Sequence, residues 1–479
     1  MNWSGWYLVL VLVAAIVVLI VLINSRVRFS PFVALLVVAL GVGLAGGEDL
    51  ATIADSITTG AGDILGDVGL TLALGTMLGR LLAESGATGR IADAVVSRST
   101  PRSLPWLVCA AAFVIGVPMF FEVGLIVLLP LLFSVARRLE LEGAAPSPYA
   151  SVAIPAIATL ATLHGMVPPH PGPLIAVVGL GADLGRTIVV GLLCAVPAIV
   201  VGGPLYARLM APRLPVRPDA ELVAQFTETG TETGTGAGAG GGVGPDGRRG
   251  EEPAPVPLPI ALVAVAVPVV LMLARTVAEV ALPDGAVFRQ VTTLLGQPIV
   301  AMLAGFLYAL FALGLLRGRP AEELRTSLAD AVKSVTGILL IIGGGGAFNQ
   351  VLKDSGISDA VGAAASGLPV SPLLLAWLLA LLLSTSTGSA TVGIVAATGV
   401  VAPLLAGAGP WYVALAVVAV GAGSVGLNYV NHAGFWLVKE SFGMTVGQAT
   451  RSHTAVQTVV SVVGLVMVLL LSLVLPVGA

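Results

Sequence analysis

Apolar residues run through this chain in long, nearly uninterrupted tracts, and charged residues gather in the short connections between them. Residues 6–23, 32–45, 149–165, 186–206, 260–274, 291–316, 332–352, 411–425 and 454–475 each read as a membrane-crossing helix. A further helix is expected from near Asp63 to Leu82. About 20 apolar residues span the hydrocarbon core. A helix is favoured there because it satisfies its own backbone polar groups. The pattern predicts an all-α polytopic membrane protein.

Two tracts depart from it. Residues 104–135 and 372–405 are longer than one span and shorter than two comfortable ones, at a rise of about 1.5 Å per residue. Each is interrupted at its middle, the first by GVPMFFEVG at 116–124 and the second by STSTGSAT at 384–391. Pro118 removes a helical hydrogen bond. Hydroxyls and glycines at that depth are unfavourable in lipid unless they line a protein cavity. Arg98 and Arg102 precede the first tract, and Arg137 and Arg138 follow it. Basic residues at both ends put both ends in the cytoplasm, so a re-entrant helical hairpin is expected over about 104–136. A second is expected over about 372–405.

The remaining charges fill in the topology. Arg26 and Arg28 place the first connection inside and the N-terminus outside. Residues 6–23 lack the basic start and small-residue cleavage site of a signal peptide, so they are expected to stay as a span. Glu48, Asp49 and Asp55 suit an outer loop, and Asp63 and Asp67 are expected near the start of the next helix, where acids suit the dipole. HGMVPPHPGP at 164–173 and NYVNHAGFW at 428–436 are expected to break two further helices. Lys439, Arg451 and His453 are read as a cytoplasmic segment.

The chain also repeats itself. GTMLGRLLAESGATGRIADA at 75–94 returns as GGAFNQVLKDSGISDA at 345–360. Gly75 pairs with Gly345, Glu84 with Asp354, and Ser85-Gly86 with Ser355-Gly356. The order that follows repeats as well: interrupted tract, span, polar break. By the charges, the first copy ends in the cytoplasm and the second outside. Two inverted-topology repeats are therefore expected, in halves 1–213 and 257–479, each with a re-entrant hairpin and a broken helix. Residues 214–256, rich in Gly, Thr and Pro, are expected to form a flexible cytoplasmic linker. They lack the GKS/T and the preceding strand of a phosphate loop. Inverted repeats with helices broken at mid-membrane point to a secondary transporter with alternating access around a central site. A channel also tolerates broken helices, but no carbonyl filter or gating-charge helix is evident.

Composition sets limits. The chain is 57% hydrophobic and 10% charged, with a mean hydropathy of +1.01, too apolar for a soluble protein of 479 residues. No basic stripe signals a nucleic-acid partner. Cys109 and Cys194 both lie in apolar tracts and read as packing residues. The histidines have no metal-ligand spacing, and neither a metal nor another cofactor is expected.

Four stretches together resemble the gluconate permease family: GVPMFFEVG at 116–124, VPPHPGP at 167–173, GGGGAFNQVLKDS at 343–355 and VNHAGFWLVK at 430–439. They are spread over both halves. The resemblance implies a symporter of the cell inner (cytoplasmic) membrane, importing gluconate or a related small sugar acid with H+ as the coupling ion. Its partners are then a small hydroxylated monocarboxylate and membrane lipid; a homo-oligomer is compatible with the sequence. One departure stands out. The family reads Val-Asn-Asp-Ser-Gly-Phe-Trp at the second-half break, where this chain has His432 and Ala433 in place of the Asp and Ser. That exchange bears on substrate and pH response. Two alternatives stay open: a sodium-coupled carboxylate or amino-acid carrier, because unwound carbonyls and hydroxyls also suit sodium, and a membrane-embedded enzyme acting on a sugar acid, for which no nucleophile–base spacing is present.

A sugar acid offers one carboxylate and several hydroxyls. Ser384, Thr385, Ser386, Thr387, Ser389 and Thr391 can donate and accept toward it, as can Asn349, Asn428 and Asn431. His432 and Pro118, at the breaks, complete the substrate candidates. The same hydroxyls can instead cap helices or bridge them. Half-helix N-termini supply positive ends for the carboxylate. Glu122, deep in the first interruption, is either the proton carrier or a cap on backbone N–H groups. His170 and His164 are the other proton-coupling candidates, and His164 can also cap its helix.

Overall fold

The computed structural model describes residues 3–24, 29–96, 100, 102–117, 119–143, 147–218, 255–283, 286–365 and 370–475. Pro118 and most of the Gly-rich linker, 219–254, lie outside the described residues. Among the described residues all regular structure is helical. The first half carries α1 (Trp3–Asn24), α2 (Pro31–Gly46), α3 (Leu50–Ile64), α4 (Leu70–Glu84), α5 (Ala87–Val96), α6 (Leu104–Gly116), α7 (Phe121–Leu141), α8 (Pro148–Met166), α9 (Pro171–Leu180), α10 (Leu184–Val200) and α11 (Tyr206–Met210). The second carries α12 (Leu258–Ala281), α13 (Val287–Leu295), α14 (Pro298–Ala309), α15 (Ala321–Asp354), α16 (Ile357–Ala365), α17 (Pro372–Thr387), α18 (Ala390–Val401), α19 (Pro410–Ser424), α20 (Ala433–Ser441), α21 (Val446–Ala449) and α22 (Ala455–Ser472). Eight helical segments among them are long and apolar enough to cross a membrane. The protein is a multi-pass, all-α membrane protein.

Proline opens many of these helices, at Pro31, Pro148, Pro171, Pro298, Pro372 and Pro410. Its missing N–H is one that the first turn leaves unpaired anyway. Two boundaries differ from the expectation. Helix begins at Leu50, not near Asp63, because the Asp49 carboxylate caps it, accepting from Ala51 N at 2.9 Å and Thr52 N at 3.0 Å. α3 and α4 then join through one π-helical turn, Leu65–Gly69, which puts Asp63 and Asp67 in the middle of a 35-residue rod. The tract 291–316 divides, since Pro298 cannot continue α13 and starts α14. Cys109 and Cys194 are both buried.

The two copies of the repeated segment close on the same turn. Ser85 N donates to Leu81 O at 3.0 Å, and Ser355 N to Val351 O at 3.0 Å. The next residue, Gly86 or Gly356, takes a φ of 74° or 69°, a left-handed conformation that glycine adopts without a Cβ clash. α5 and α16 follow directly.

Glycine sets the closest helix crossings. A Cβ on Gly60 of α3 would stand 2.6 Å from Gln350 Cβ and closer still to the Gly346 carbonyl of α15; Gly346 faces the Gly60 carbonyl in return. At the centre, α8 and α19 cross in the same way: a Cβ on Gly165 would stand 2.7 Å from both Gly421 O and Val425 Cγ1. Both helices are buried along nearly their whole length. Small residues let two backbones approach where lipid offers no hydrophobic drive to association.

The ends of the two rods are bound differently. Glu84, closing α4, accepts from Arg319 Nη2 at 2.8 Å, Ser327 Oγ at 2.6 Å and Arg80 Nε at 2.5 Å. Asp354, closing α15, accepts from Ser56 Oγ at 2.6 Å and Gln350 Nε2 at 3.0 Å. Where Arg319 precedes α15 by two residues, Glu48 precedes α3 by two. So the second rod end meets an acid instead of a guanidinium. Both Glu48 carboxylate oxygens are shielded and have no hydrogen-bond partner among the described residues. Burial first, then the Asp354 and Asp49 charges, hold the Glu48 carboxyl above its usual 4.5.

Two outcomes are expected. Gly421→Val forces α8 and α19 apart and lowers stability by about 1–3 kcal/mol, the usual cost of overpacking. Thermal unfolding in detergent checks it against Gly41→Ala, where a Cβ meets nothing within 4 Å; equal melting of the two variants contradicts the crossing. The raised Glu48 carboxyl retains its proton when the unfolded chain releases one. The stability it contributes is therefore fully present below pH 4.5 and lost as pH rises through the folded value. Glu48→Gln should remove that slope and raise the melting temperature at neutral pH.

Candidate functional site

The site is built from four helix interruptions. The first to consider is the turn between α17 and α18. α17 ends at Gly388, with φ 70°, and Ser389 caps α18 by accepting from Val392 N at 3.4 Å. α18 doubles back on α17 so closely that a Cβ on Gly393 would stand 2.8 Å from Ser384 N. The hydroxyls at this tip point in different directions. Ser384 is fully buried and donates to Ser424 O at 2.5 Å. Ser386 and Thr387 donate back to Leu382 O and Leu383 O, at 2.6 and 2.7 Å. Thr391 sits half-buried in the first turn of α18. Thr385 Oγ1 is buried without a hydrogen-bond partner among the described residues, while Thr385 O accepts from Asn431 Nδ2 at 2.7 Å.

The second interruption, between α19 and α20, is held by α22. Leu427 takes a φ of 52°, a left-handed conformation unusual for a side chain with a Cβ. Its N–H donates to Thr458 Oγ1 at 3.2 Å, and Thr454 Oγ1 donates to Asn428 O at 2.6 Å. Asn428 Nδ2 donates to Gln457 Oε1 at 2.9 Å, and Gln457 Nε2 lies 3.1 Å from His453 Nε2. His432 caps α20, its Nδ1 accepting from Gly434 N at 3.2 Å. Trp436 Nε1 reaches back to Val430 O at 2.7 Å.

The first half contributes two more interruptions. Between α6 and α7 the chain delivers Phe121 and Glu122 into the first turn of α7. Between α8 and α9 it passes through the cis Pro168-Pro169 bond to His170. His164 and His170 stand with ring centroids 6.1 Å apart, and His164 Nδ1 and His170 Nε2 are buried without hydrogen-bond partners among the described residues. Across the junction the Phe121 ring lies 5.8 Å from His453, and His453 lies 6.2 Å from His432. Glu122 is near enough to both His164 and His432 to interact with their charged forms. His164 and His432 thus flank one carboxylate, with His170 packed on the first ring and His453 on the second.

Glu122, His164, His170, Thr385, Asn428, Asn431 and His432 come together here. Asn349 does not. It lies by Gly179 and Gly399, near the far ends of α9 and α18. Gly172, beside His164, is seven residues back along α9, roughly 10 Å of helical rise. Two residues at the junction escaped the sequence reading. His453, taken there as a cytoplasmic marker, is fully buried between Phe121 and Phe435, and Gln457 is its partner. The signal was the spacing: His453, Thr454, Gln457 and Thr458 share one helix face. Among the described residues no three His, Cys, Asp or Glu side chains are placed to hold one metal ion.

Comparison with known proteins accounts for this architecture. Residues 6–474 match the model of the GntP family permease. A gluconate permease of Pseudomonas aeruginosa is 41% identical over 98% of this chain and 98% of its own. The D-serine transporter of Escherichia coli is 32% identical over 96% of this chain and 97% of its own. Among solved structures, the YdaH transporter of Alcanivorax borkumensis shares the fold with a TM-score of 0.62, at 18% identity, over 94% of this chain and 99% of that one. With residues 6–474 matched by the family model and a gluconate permease 41% identical over 98% of its length, this chain belongs to the GntP family of permeases.

Proposed function

We propose that this permease imports gluconate or a related small sugar acid by proton symport, with Glu122 as the proton carrier. The observation that carries the reading is the placement of Glu122 within electrostatic reach of His164 from the first half and His432 from the second, at the junction of both interrupted tracts. An ionisable side chain inside a membrane protein faces the interior and marks an ion or substrate path. No covalent chemistry is involved.

The substrate lies against the tip between α17 and α18. Thr385 Oγ1 is the free hydroxyl there, and the N-termini of α7, α9, α18 and α20 supply positive ends for the carboxylate. Ser384 and Asn428 support the tip from behind, since their polar atoms bond within the protein. The two halves, 1–213 and 257–479, act as inverted repeats whose hairpins, α6–α7 and α17–α18, enter from opposite faces and return. The matched turns at Ser85-Gly86 and Ser355-Gly356 support this division. Alternating access then follows from movement of one half's hairpin against the other's broken helix.

A zwitterionic amino acid is the second reading. It draws on the D-serine transporter among the relatives and on His432-Ala433 at the second break. A substrate panel separates the two.

In proteoliposomes, an inward proton gradient should drive labelled gluconate to accumulate, and an inward sodium gradient should not. Excess unlabelled D-serine should leave uptake unchanged. Accumulation that ignores the proton gradient contradicts the coupling. Glu122→Gln should abolish accumulation while sparing exchange of gluconate across the membrane. Thr385→Val keeps the shape and loses the hydroxyl, so KM should rise about fivefold, the equivalent of one neutral hydrogen bond near 1 kcal/mol.

A further inference from the structure

We propose that Ser384, Asn428, Gln457 and His453 form a polarity-reversing amide wire, through which the protonation state of His453 is passed to the tip of the α17–α18 hairpin. The inference rests on the reading of this chain as a proton-coupled carrier.

The four side chains lie in series across three segments, α17, the break before α20, and the last membrane helix. Their exposures are 0, 2, 2 and 0%, so water does not compete for their hydrogen bonds. Each amide also has a fixed direction. Asn428 Nδ2 gives its hydrogen to Gln457 Oε1. Gln457 must therefore turn Nε2, a donor only, toward His453. His453 Nε2 must accept, which leaves the ring proton on Nδ1. At the other end Ser384 Oγ donates to Ser424 O and lies 3.4 Å from Asn428 Oδ1.

Adding a proton at His453 Nε2 reverses this order. An imidazolium offers only donors, and two donors cannot face each other at hydrogen-bond distance. Gln457 must rotate its amide to present Oε1. Its Nε2 then meets Asn428 Nδ2, so Asn428 must rotate too, and Nδ2 turns to the Ser384 hydroxyl. Ser384 accepts from it and still donates to Ser424 O. In the first order the one Ser384 hydrogen goes to Ser424 O and the 3.4 Å approach to Asn428 Oδ1 is left without one; in the second, Asn428 Nδ2 fills that gap, so the two states differ by one proton and by this bond at the tip. Ser384 precedes Thr385, whose carbonyl fastens the tip to Asn431.

A route for the proton is present. A Cβ on Gly434 would stand 3.2 Å from His432 Nδ1 and 3.3 Å from His453 Nε2, so the two ring nitrogens face one gap that only a glycine leaves open. The titratable neighbours are His432 at the start of α20, Glu122 on α7 beside Phe121, and His164 on α8. Arg451, on the same segment as His453, is exposed. Within this proposal the proton reaches His453 from the side of His432, whose ring centroid lies 6.2 Å away.

Three proteins test this: the unsubstituted chain, Gln457→Glu and His453→Gln. A glutamate carboxylate accepts at both ends, so it favours the imidazolium. Gln457→Glu should raise the midpoint of the uptake-versus-pH profile by roughly one unit or more. A second readout is independent of transport. In a Thr387→Cys reporter, labelling of the tip by a membrane-impermeant thiol reagent should change with pH at the uptake midpoint. Adding His453→Gln, which keeps an amide in the wire but cannot take up a proton, should make labelling independent of pH. An unmoved midpoint in Gln457→Glu, or pH-dependent labelling that survives His453→Gln, overturns the wire. If His453→Gln fails to fold, the Gln457→Glu midpoint decides alone. Uptake that ignores a proton gradient while labelling still follows pH through His453 would overturn the symport reading and keep the wire.

Discussion

A helix interrupted inside a bilayer releases carbonyls and amides that hydrocarbon cannot satisfy. The centre of this permease is a set of answers to that constraint. Ser384 takes up the Ser424 carbonyl, Thr454 the Asn428 carbonyl, Asn431 the Thr385 carbonyl and Trp436 the Val430 carbonyl, while Thr458 receives the Leu427 N–H. Each bond joins one interruption to a neighbouring element. The polar residues that make the site visible in sequence are therefore structural first. Thr385 Oγ1, His164 Nδ1 and His170 Nε2 are left without a hydrogen-bond partner among the described residues.

The same constraint explains the glycines. Two broken helices can support each other only if their backbones come within reach. Gly165 and Gly421 allow that for α8 and α19, and Gly60 and Gly346 allow it for the long rods. Lipid offers no hydrophobic drive to hold helices together, so close packing and buried hydrogen bonds carry the association. The two halves are nonetheless chemically unlike. One rod end is closed by a carboxylate–guanidinium cluster around Glu84, and the other brings Glu48 toward Asp354. The interruption before α7 carries Glu122 and the one between α17 and α18 carries hydroxyls.

His432 sits where this asymmetry concentrates. The resemblance places an acid at this position, and here an imidazole caps α20 beside His453 and within reach of Glu122. An acid there would repel Glu122; an imidazole can pair with it when charged. That exchange links the departure visible in the sequence to the cluster visible in the structure.

Much of the fold was legible in the residues alone. Run lengths set the spans, because hydrocarbon thickness dictates helix length. Proline, glycine and hydroxyl clusters marked the interruptions, because such residues are unfavourable in lipid without a purpose. The two Ser-Gly pairs marked two matching turns. Boundaries set by a single cap, such as Asp49 starting α3, were not legible, since one side-chain bond outweighed the charge pattern around Asp63 and Asp67. Nor were the roles of His453, Gln457 and Asn349. A buried histidine and an exposed basic marker look the same in one dimension. What a polar side chain does depends on which carbonyl or ring the other half brings to it, and only the tertiary structure decides that.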